Sequence, residues 1–200
     1  MSRITGVPAD RAGMFTRLAY RFAARRYGQV PEPATIYAHH RGILWNSAIF
    51  ELGNERVLTR LDPVLRDLAL HRVAARIGCS WCVDFGTMLT VRAGLPVERL
   101  RELERYADSA AFTDTEKRVI AYADAMTHQP MTVTDEQVAA LRAELGEEKL
   151  VELTYLIALE NHRSRFNHAL GLTAQGFTSG DACPVPPATV TPEGGRAWRG

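Results

Sequence analysis

Apolar residues recur at intervals of three and four along most of the chain, which is the spacing of one face of an α-helix. The clearest case follows Asp62-Pro63, a pair typical of a helix start with Asp62 as the N-cap. No region shows the alternation with a period of two that is expected of strands. The pattern therefore predicts an all-α fold. The apolar positions after Asp62 continue at helical spacing up to Gly78: Val64, Leu65, Leu68, Val73 and Ile77.

Capping signals divide the second half of the chain into further helices. Thr113-Asp114-Thr115-Glu116 and Thr134-Asp135-Glu136-Gln137 are capping boxes, in which a threonine is followed three positions later by Glu or Gln. They predict helices over 117–127 and up to Leu145, where Gly146 suits a helix C-terminus. Further helices are expected over 34–52, 97–107 and 147–170, the last with an interruption near Asn161.

The chain divides into three parts. Residues 1–33 form an N-terminal extension, set apart by Pro31-Glu32-Pro33, and residues 34–177 form the helical domain. Residues 178–200 are rich in Pro, Gly and Thr and cannot continue a helix. We expect this last part to be a mobile tail, or an arm on a neighbouring subunit.

The extension contains a basic amphipathic helix. Phe15, Leu18 and Phe22 share one of its faces, and arginines share another. Such a helix can touch an anionic membrane. We expect it to dock on its own domain instead.

Composition and charge narrow the function classes. The chain has 200 residues, of which 46% are hydrophobic and 24% charged, and a net charge of +1. These values describe an ordinary soluble domain and do not favour nucleic-acid binding. No stretch reaches the roughly 18–20 apolar residues that span a bilayer, and no signal peptide is recognisable. We therefore expect a cytoplasmic protein that binds neither nucleic acid nor membrane.

The cysteines carry most of the chemical information. Cys79-Ser80-Trp81-Cys82 is a CxxC motif, and Cys183 lies in the predicted tail. A CxxC at a helix start brings two thiols within disulfide range and directs backbone N–H groups towards sulfur, which lowers the thiol pKa. The thiolate attacks peroxides and disulfides, and a second thiol resolves the sulfenic acid as a disulfide. The motif therefore favours a redox pair.

A zinc site and two cysteines of no special role are the alternatives. A structural zinc needs four ligands, and the sequence offers only His71 and the distant Cys183 beside the motif. We therefore expect no metal and no other cofactor. A single CxxC is only moderately specific, so chance spacing of core cysteines stays open on this ground alone.

The run from Arg66 to Cys82 resembles the signature of the carboxymuconolactone decarboxylase and alkylhydroperoxidase D superfamily. In that signature an acidic residue, here Asp67, lies twelve positions before the first cysteine of a Gly-Cys-x-x-Cys. Residues 112–117, 151–154 and 165–171 resemble its later helices. The resemblance covers roughly residues 34–175.

This resemblance implies a helical bundle built around an antiparallel helix pair, assembled as a trimer or higher homo-oligomer. It also implies hydroperoxide reduction, with Cys82 meeting the peroxide and Cys79 resolving it. The electron donor in that branch is a lipoyl-bearing protein. The substrate is then a hydroperoxide or a disulfide.

The sequence departs from the family's proton relay, which consists of a glutamate and two histidines. The corresponding positions here are Asp67, Trp81 and Gly86. Since positioned acid–base groups speed proton transfer by about 10² to 10⁴, peroxidase activity is expected to be weak unless another group substitutes. The best substitute is His71, which follows Asp67 by one helical turn. Asp67 is therefore placed to orient the His71 ring. A histidine on the helix surface is the alternative interpretation.

Other polar residues near the motif receive no catalytic role. Asp84 is interpreted as a helix-terminal or solvated acid, and His162 and His168 do not share one helical face. Trp81 is either a shield over sulfur, a wall of a substrate pocket or a core aromatic residue.

The leading hypothesis is a thiol-dependent oxidoreductase that uses Cys79 and Cys82, with Asp67 and His71 in support. A cofactor-free decarboxylase or lyase acting on a small lactone is the second hypothesis, since that branch shares the fold. The third is a non-catalytic oligomeric binding module in which the thiols only pack.

Overall fold

A computed structural model describes residues 2–178, and these residues contain helices and no strand. The prediction of an all-α fold is therefore confirmed over this part of the chain. The α-helices are α1 (Met14–Tyr27), α2 (Glu32–Tyr37), α3 (Arg41–Val57), α4 (Pro63–Ile77), α5 (Ser80–Arg92), α6 (Asp114–Thr127), α7 (Asp135–Leu145) and α8 (Glu147–Ala169). A short 3₁₀ helix, Glu98–Arg105, lies between α5 and α6.

The predicted caps begin three of these helices. The Asp62 carboxylate accepts the N–H of Val64 at 2.8 Å at the start of α4. Thr113 and Thr134 each form both bonds of a capping box, at the starts of α6 and α7. These interactions are local, so a sequence pattern is sufficient to predict them.

Helix α4 lies at the centre of the fold and packs against α5, α6 and α8. Fully buried small and β-branched side chains allow this close packing, among them Ala69 and Val73 of α4 and Val119 of α6. Leu153 and Ile157 of α8 lie in the same cluster. Each buried Val, Leu or Ile side chain of this cluster contributes about 1.5–3 kcal/mol by its burial.

Two predicted helices differ from the structure. The helix expected over 34–52 is broken at residues 38–40, because the His40 ring accepts the N–H of Ile43 and caps a new helix. The helix expected over 97–107 is 3₁₀ over Glu98–Arg105. Its buried residues Leu100 and Leu103 are three apart, which matches the 3₁₀ repeat.

Helix α8 runs without interruption through Asn161, contrary to prediction. The Asn161 side chain donates to the carbonyl of Ile157, one turn earlier, and to the Thr127 hydroxyl of α6. Its amide therefore ties α8 to α6 while the helical ladder continues.

Helix α1 docks on its own domain as predicted, where Arg92 of α5 donates to the carbonyls of Arg26 and Tyr27, but its apolar face points outwards. Phe15, Leu18 and Phe22 are each more than half exposed. The helix is held instead by Thr16 and Tyr20, whose hydroxyl donates to the carbonyl of Val7 at 2.9 Å. No helix between residues 2 and 178 has the length and apolar character needed to cross a membrane.

Candidate active site

The CxxC motif lies at the junction between α4 and α5. Gly78 ends α4 with φ 78° and ψ 27°, a left-handed conformation that favours glycine. The turn makes Cys79 the N-cap of α5, with its N–H donated to the carbonyl of Ala74 at 2.9 Å. The predicted position of the motif at a helix start is confirmed.

Cys79 and Cys82 form a disulfide bond, with their Cα atoms 5.3 Å apart. The N–H of Cys82 donates to Cys79 Sγ at 3.2 Å, so a donor of the first helical turn points at sulfur. Cys79 is fully buried, whereas Cys82 keeps 9% of its surface exposed. Cys82 is therefore the less enclosed residue of the pair.

The disulfide lies in an apolar cluster. Desolvation of this kind disfavours a thiolate unless hydrogen-bond donors or positive charge compensate for it. The groups that contact sulfur therefore decide how reactive the reduced pair is. The buried neighbours in the cluster are Ile36, Ala74, Trp81, Val83 and Leu172.

Asn167 of α8 is a polar side chain that reaches a sulfur atom. Its Nδ2 lies 3.4 Å from Cys82 Sγ, and the residue is 3% exposed. No role is predicted for Asn167 from the sequence. A signal for its burial is present in the sequence, because Asn167 continues at helical spacing the face of α8 that includes Ile157. The same buried face also carries Glu160 and Ser164.

His71 is buried rather than on the helix surface. Its Nδ1 lies 2.8 Å from the main-chain oxygen of Asp67, and its Nε2 lies 3.4 Å from Thr87 Oγ1. Burial lowers the pKa of His71, and the hydrogen bond and negative charge of Asp67 offset this only in part. The ring is therefore a neutral imidazole near pH 7, with Nδ1–H donated to that carbonyl.

The His71 ring lies beside Gly86. A Cβ atom at Gly86 would be only 3.3 Å from His71 Nε2. This is one of the two positions where the resembled peroxidases have histidine, so the imidazole of α4 lies next to it in space. Within residues 2–178, His71 makes no hydrogen bond to Cys79 or Cys82. Its part in proton transfer stays a prediction.

The Asp67 carboxylate is turned away from the disulfide. It accepts the Thr90 hydroxyl at 2.7 Å and pairs with Arg66 at 3.2 Å. With Pro96 and Arg99 it lines a shallow crevice between α4, α5 and the 3₁₀ helix. Asp67 orients His71 through its main-chain oxygen, because its side chain is held by these other partners.

Asp84 of α5 anchors residues 172–178, which we call the C-terminal strap. Its carboxylate accepts five hydrogen bonds at 2.9–3.0 Å, from the N–H groups of residues 175–178 and the hydroxyl of Thr178. Burial raises the pKa of Asp84, but the bonds from Phe177, Thr178 and Gln175 outweigh this and hold it below its ordinary value. The interpretation of Asp84 as a solvated acid is wrong, because the strap covers it.

Trp81 lies between α5 and the strap. Its ring stacks on Phe85 with centroids 4.8 Å apart, and Phe177 meets it edge-on. Its Nε1–H donates to Gln175 Oε1 at 3.0 Å, and the same oxygen accepts the N–H of Glu32. Trp81 is thus a core aromatic residue beside the disulfide, and Gln175 links it to both the strap and the start of α2.

The two histidines of α8 have different surroundings. His162 is exposed, and His168 Nδ1 lies 3.2 Å from the carbonyl oxygen of Gly78. Cys183 and the predicted tail after Thr178 lie outside the described residues. In the part of the chain that the structure describes, no three or more His, Cys, Asp or Glu side chains are grouped to hold a metal.

The chain is similar in sequence to known proteins. Residues 45–125 match the carboxymuconolactone decarboxylase family. The uncharacterized protein YnjA of Escherichia coli (strain K12) is 33% identical over 153 residues, which are 76% of this chain and 84% of YnjA.

Solved structures share the fold at low identity. The crystal structure of the debrominase Bmp8 superimposes with a TM-score of 0.73 at 15% identity, covering 87% of this chain and 92% of Bmp8. A peroxidase-related protein with an alkylhydroperoxidase AhpD core, from Ralstonia eutropha JMP134, gives 0.71 at 17% identity, covering 88% and 93%. These structures show the alkylhydroperoxidase D-like fold, and the family match together with the identity to YnjA shows that the chain belongs to the carboxymuconolactone decarboxylase family.

Proposed function

We propose that this chain is a thiol-dependent oxidoreductase that cycles Cys79 and Cys82 between a dithiol and a disulfide, with a hydroperoxide as the oxidant. The observation that carries the proposal is the disulfide at the start of α5, in which Cys82 is the more exposed partner. Disulfide exchange would use the same pair with a disulfide as substrate.

The cycle has three steps. The Cys82 thiolate attacks the distal oxygen of the hydroperoxide, the O–O bond breaks, and the alkoxide leaves and takes a proton from water. The Cys79 thiol then attacks the Cys82 sulfenic acid, which forms the disulfide seen here and releases water. An external dithiol, for which a lipoyl-bearing protein is our candidate, reduces the disulfide and is itself oxidised.

The expected rate is modest. Trp81 and Gly86 occupy the positions of the relay histidines, and no hydrogen bond within residues 2–178 links His71 or Asp67 to a sulfur. Loss of one positioned acid–base group slows a step by about 10² to 10⁴. His71 beside Gly86 is the candidate substitute, and Asp67 holds its ring.

Thiol counting tests the proposal. The fully reduced chain has three thiols, and cumene hydroperoxide should convert Cys79 and Cys82 to the disulfide and leave one. The variant Cys82→Ser should react far more slowly, whereas Cys183→Ser should lose both core thiols at the wild-type rate. Persistence of both core thiols in the wild type, or a wild-type rate in Cys82→Ser, would disprove the proposal.

We also propose that the chain forms a homo-oligomer, as the resemblance implies. Support comes from the large apolar side chains that α1 and α3 expose. The two helices are joined by a salt bridge between Arg26 and Glu55 at 2.7 Å. Exposed apolar patches of this kind commonly mark protein interfaces. The exposed residues are Met14, Phe15, Leu18 and Phe22 of α1 and Ile43, Trp45, Ile49, Phe50 and Val57 of α3.

Light scattering tests this assembly. We expect a mass of at least three chains for the wild type. The double variant Leu18→Glu/Phe22→Glu should dissociate it, because burying two carboxylates in an apolar interface is unfavourable. Arg21→Glu, on the same helix but outside the apolar face, is the matched control. A wild type with the mass of one chain would rule the assembly out.

A further inference from the structure

Three buried polar residues follow one another along α8. Glu160, Ser164 and Asn167 are spaced by four and three residues, so they lie on one face of the helix. Each is less than 9% exposed, and Ser164 is fully buried. Polar residues on three successive turns of a buried face are unusual, since the burial of a polar group without a partner is unfavourable.

The first two residues satisfy each other. Ser164 Oγ donates to Glu160 Oε1 at 2.7 Å, and Arg163 approaches the other Glu160 oxygen at 3.5 Å. Asn167 is different. Its Nδ2 lies 3.4 Å from Cys82 Sγ, but among residues 2–178 its Oδ1 has no hydrogen-bond partner.

An acceptor buried without a partner costs about 1–3 kcal/mol. Next to a reactive sulfur, such a group is available to a hydrogen-bond donor of the substrate. A hydroperoxide supplies a suitable donor, the O–H of its distal oxygen. That oxygen is also the atom that the Cys82 sulfur attacks.

We propose that Asn167 is a catalytic residue of the Cys79–Cys82 pair: its Nδ2–H stabilises the Cys82 thiolate, and its Oδ1 accepts the O–H of the bound hydroperoxide. This inference rests on the proposed function and deepens it. The amide moves no proton in the step. Sulfur gains the OH group, the O–O bond breaks, and the alkoxide leaves and is protonated by water.

The charged and titratable groups around Cys82 have other partners. Asp84 of α5 accepts the strap, and His71 of α4 contacts Asp67 and Thr87. On α8, His168 contacts Gly78 and Glu160 accepts Ser164. Among the described residues, Asn167 is the side chain outside the motif that hydrogen-bonds to a sulfur of the pair.

An amide donor has a distinct pH signature. Asn167 does not titrate, so the reactivity of Cys82 should follow a single ionisation, that of the thiol itself. A histidine relay would add a second inflection between pH 5 and 8. The pH profile of Cys82 alkylation therefore distinguishes an amide donor from a histidine relay.

The experiment uses the full reduced chain in the Cys183→Ser background. Iodoacetamide alkylation of Cys82 is followed by mass spectrometry between pH 5 and 10. Asn167→Leu keeps the approximate size of the side chain and removes both of its polar atoms. We therefore expect about tenfold slower alkylation below the thiol pKa, which is the effect of losing one hydrogen bond to a charged group. Asn167→Asp adds a negative charge and should slow it further. The matched control is Asn161→Leu, whose amide bonds to Thr127 and Ile157.

Peroxide oxidation is measured on the same variants. We expect about tenfold or more loss in folded Asn167→Leu and little change in Asn161→Leu. If Asn167→Leu does not fold by circular dichroism, Asn167→Asp and Asn167→Gln decide the question. A wild-type alkylation profile in a folded Asn167 variant would overturn the proposal. If the wild type consumes no peroxide, the proposed function fails, while the alkylation profile still shows whether Asn167 stabilises the thiolate.

Discussion

Asp84 on α5 and Glu160 on α8 expose nearly the same fraction of their surface, 7% and 8%, yet their pKa values shift in opposite directions. Asp84 accepts five hydrogen bonds, from the strap backbone and the Thr178 hydroxyl. Glu160 accepts one from Ser164, and its arginine, Arg163, is shared with Glu51. Burial disfavours both carboxylates and does so more strongly for Glu160, which lies deeper in the protein, whereas the donors around Asp84 outweigh burial and lower its pKa.

The surroundings of Asp84 and of Glu160 therefore have different roles. The Asp84 site is complete, and it closes the strap over Trp81 and the disulfide. The Glu160 end of the polar face has few donors, and burial raises the pKa of Glu160 despite Arg163 and Ser164. A carboxyl group that retains its proton more readily lies two helical turns from Asn167, which contacts Cys82.

The largest effect should come from Asp84→Asn. The variant keeps one acceptor oxygen but turns an NH₂ group towards backbone N–H donors, so we expect a loss of about 3 kcal/mol in the free energy of unfolding at pH 7. Because the folded pKa of Asp84 is lowered, its contribution is present above the unfolded pKa of about 3.9 and is lost as pH falls through the folded value. Urea unfolding of the wild type and the variant at pH 7 and pH 3 measures both the loss of stability and its dependence on pH.

The control for Asp84→Asn is Asp62→Asn. Asp62 also accepts backbone N–H groups, at the start of α4, but it is exposed, and Asn is an equally good N-cap. We expect a change within about 0.5 kcal/mol there. Equal losses in the two variants would contradict the assignment of Asp84 as the anchor of the strap.

Most of the helices could be predicted because their signals are local. Asp62, Thr113 and Thr134 make the capping bonds that the sequence indicates, and Gly78 ends α4 before the motif. The outward face of α1 could not be predicted, since an apolar stripe does not say whether its own domain or another surface covers it.

The candidate site divides in the same way. The CxxC geometry depends on four consecutive residues at a helix start, and it was predicted. The burial of His71, the strap on Asp84 and the contact from Asn167 to Cys82 join residues that are distant in sequence. Only the packing of α4, α8 and the strap around α5 brings them together.

Glu160→Gln should change stability less than Asp84→Asn does. The effect of Glu160 on stability also has the opposite pH dependence. The raised pKa means that folding favours the protonated carboxyl, so the wild type loses stability as pH rises from the unfolded value of about 4.3 through the folded one. Gln keeps an acceptor for Ser164 without this penalty. Above that range we expect a thermal midpoint higher by roughly 2–4 °C, equivalent to about 1 kcal/mol in a domain of this size, and no gain at pH 4. Glu148→Gln, exposed on the same helix, should follow the wild type at every pH. A Glu160→Gln variant that is less stable than the wild type at pH 8 would mean that Arg163 outweighs burial, and that the two carboxylates are both held ionised.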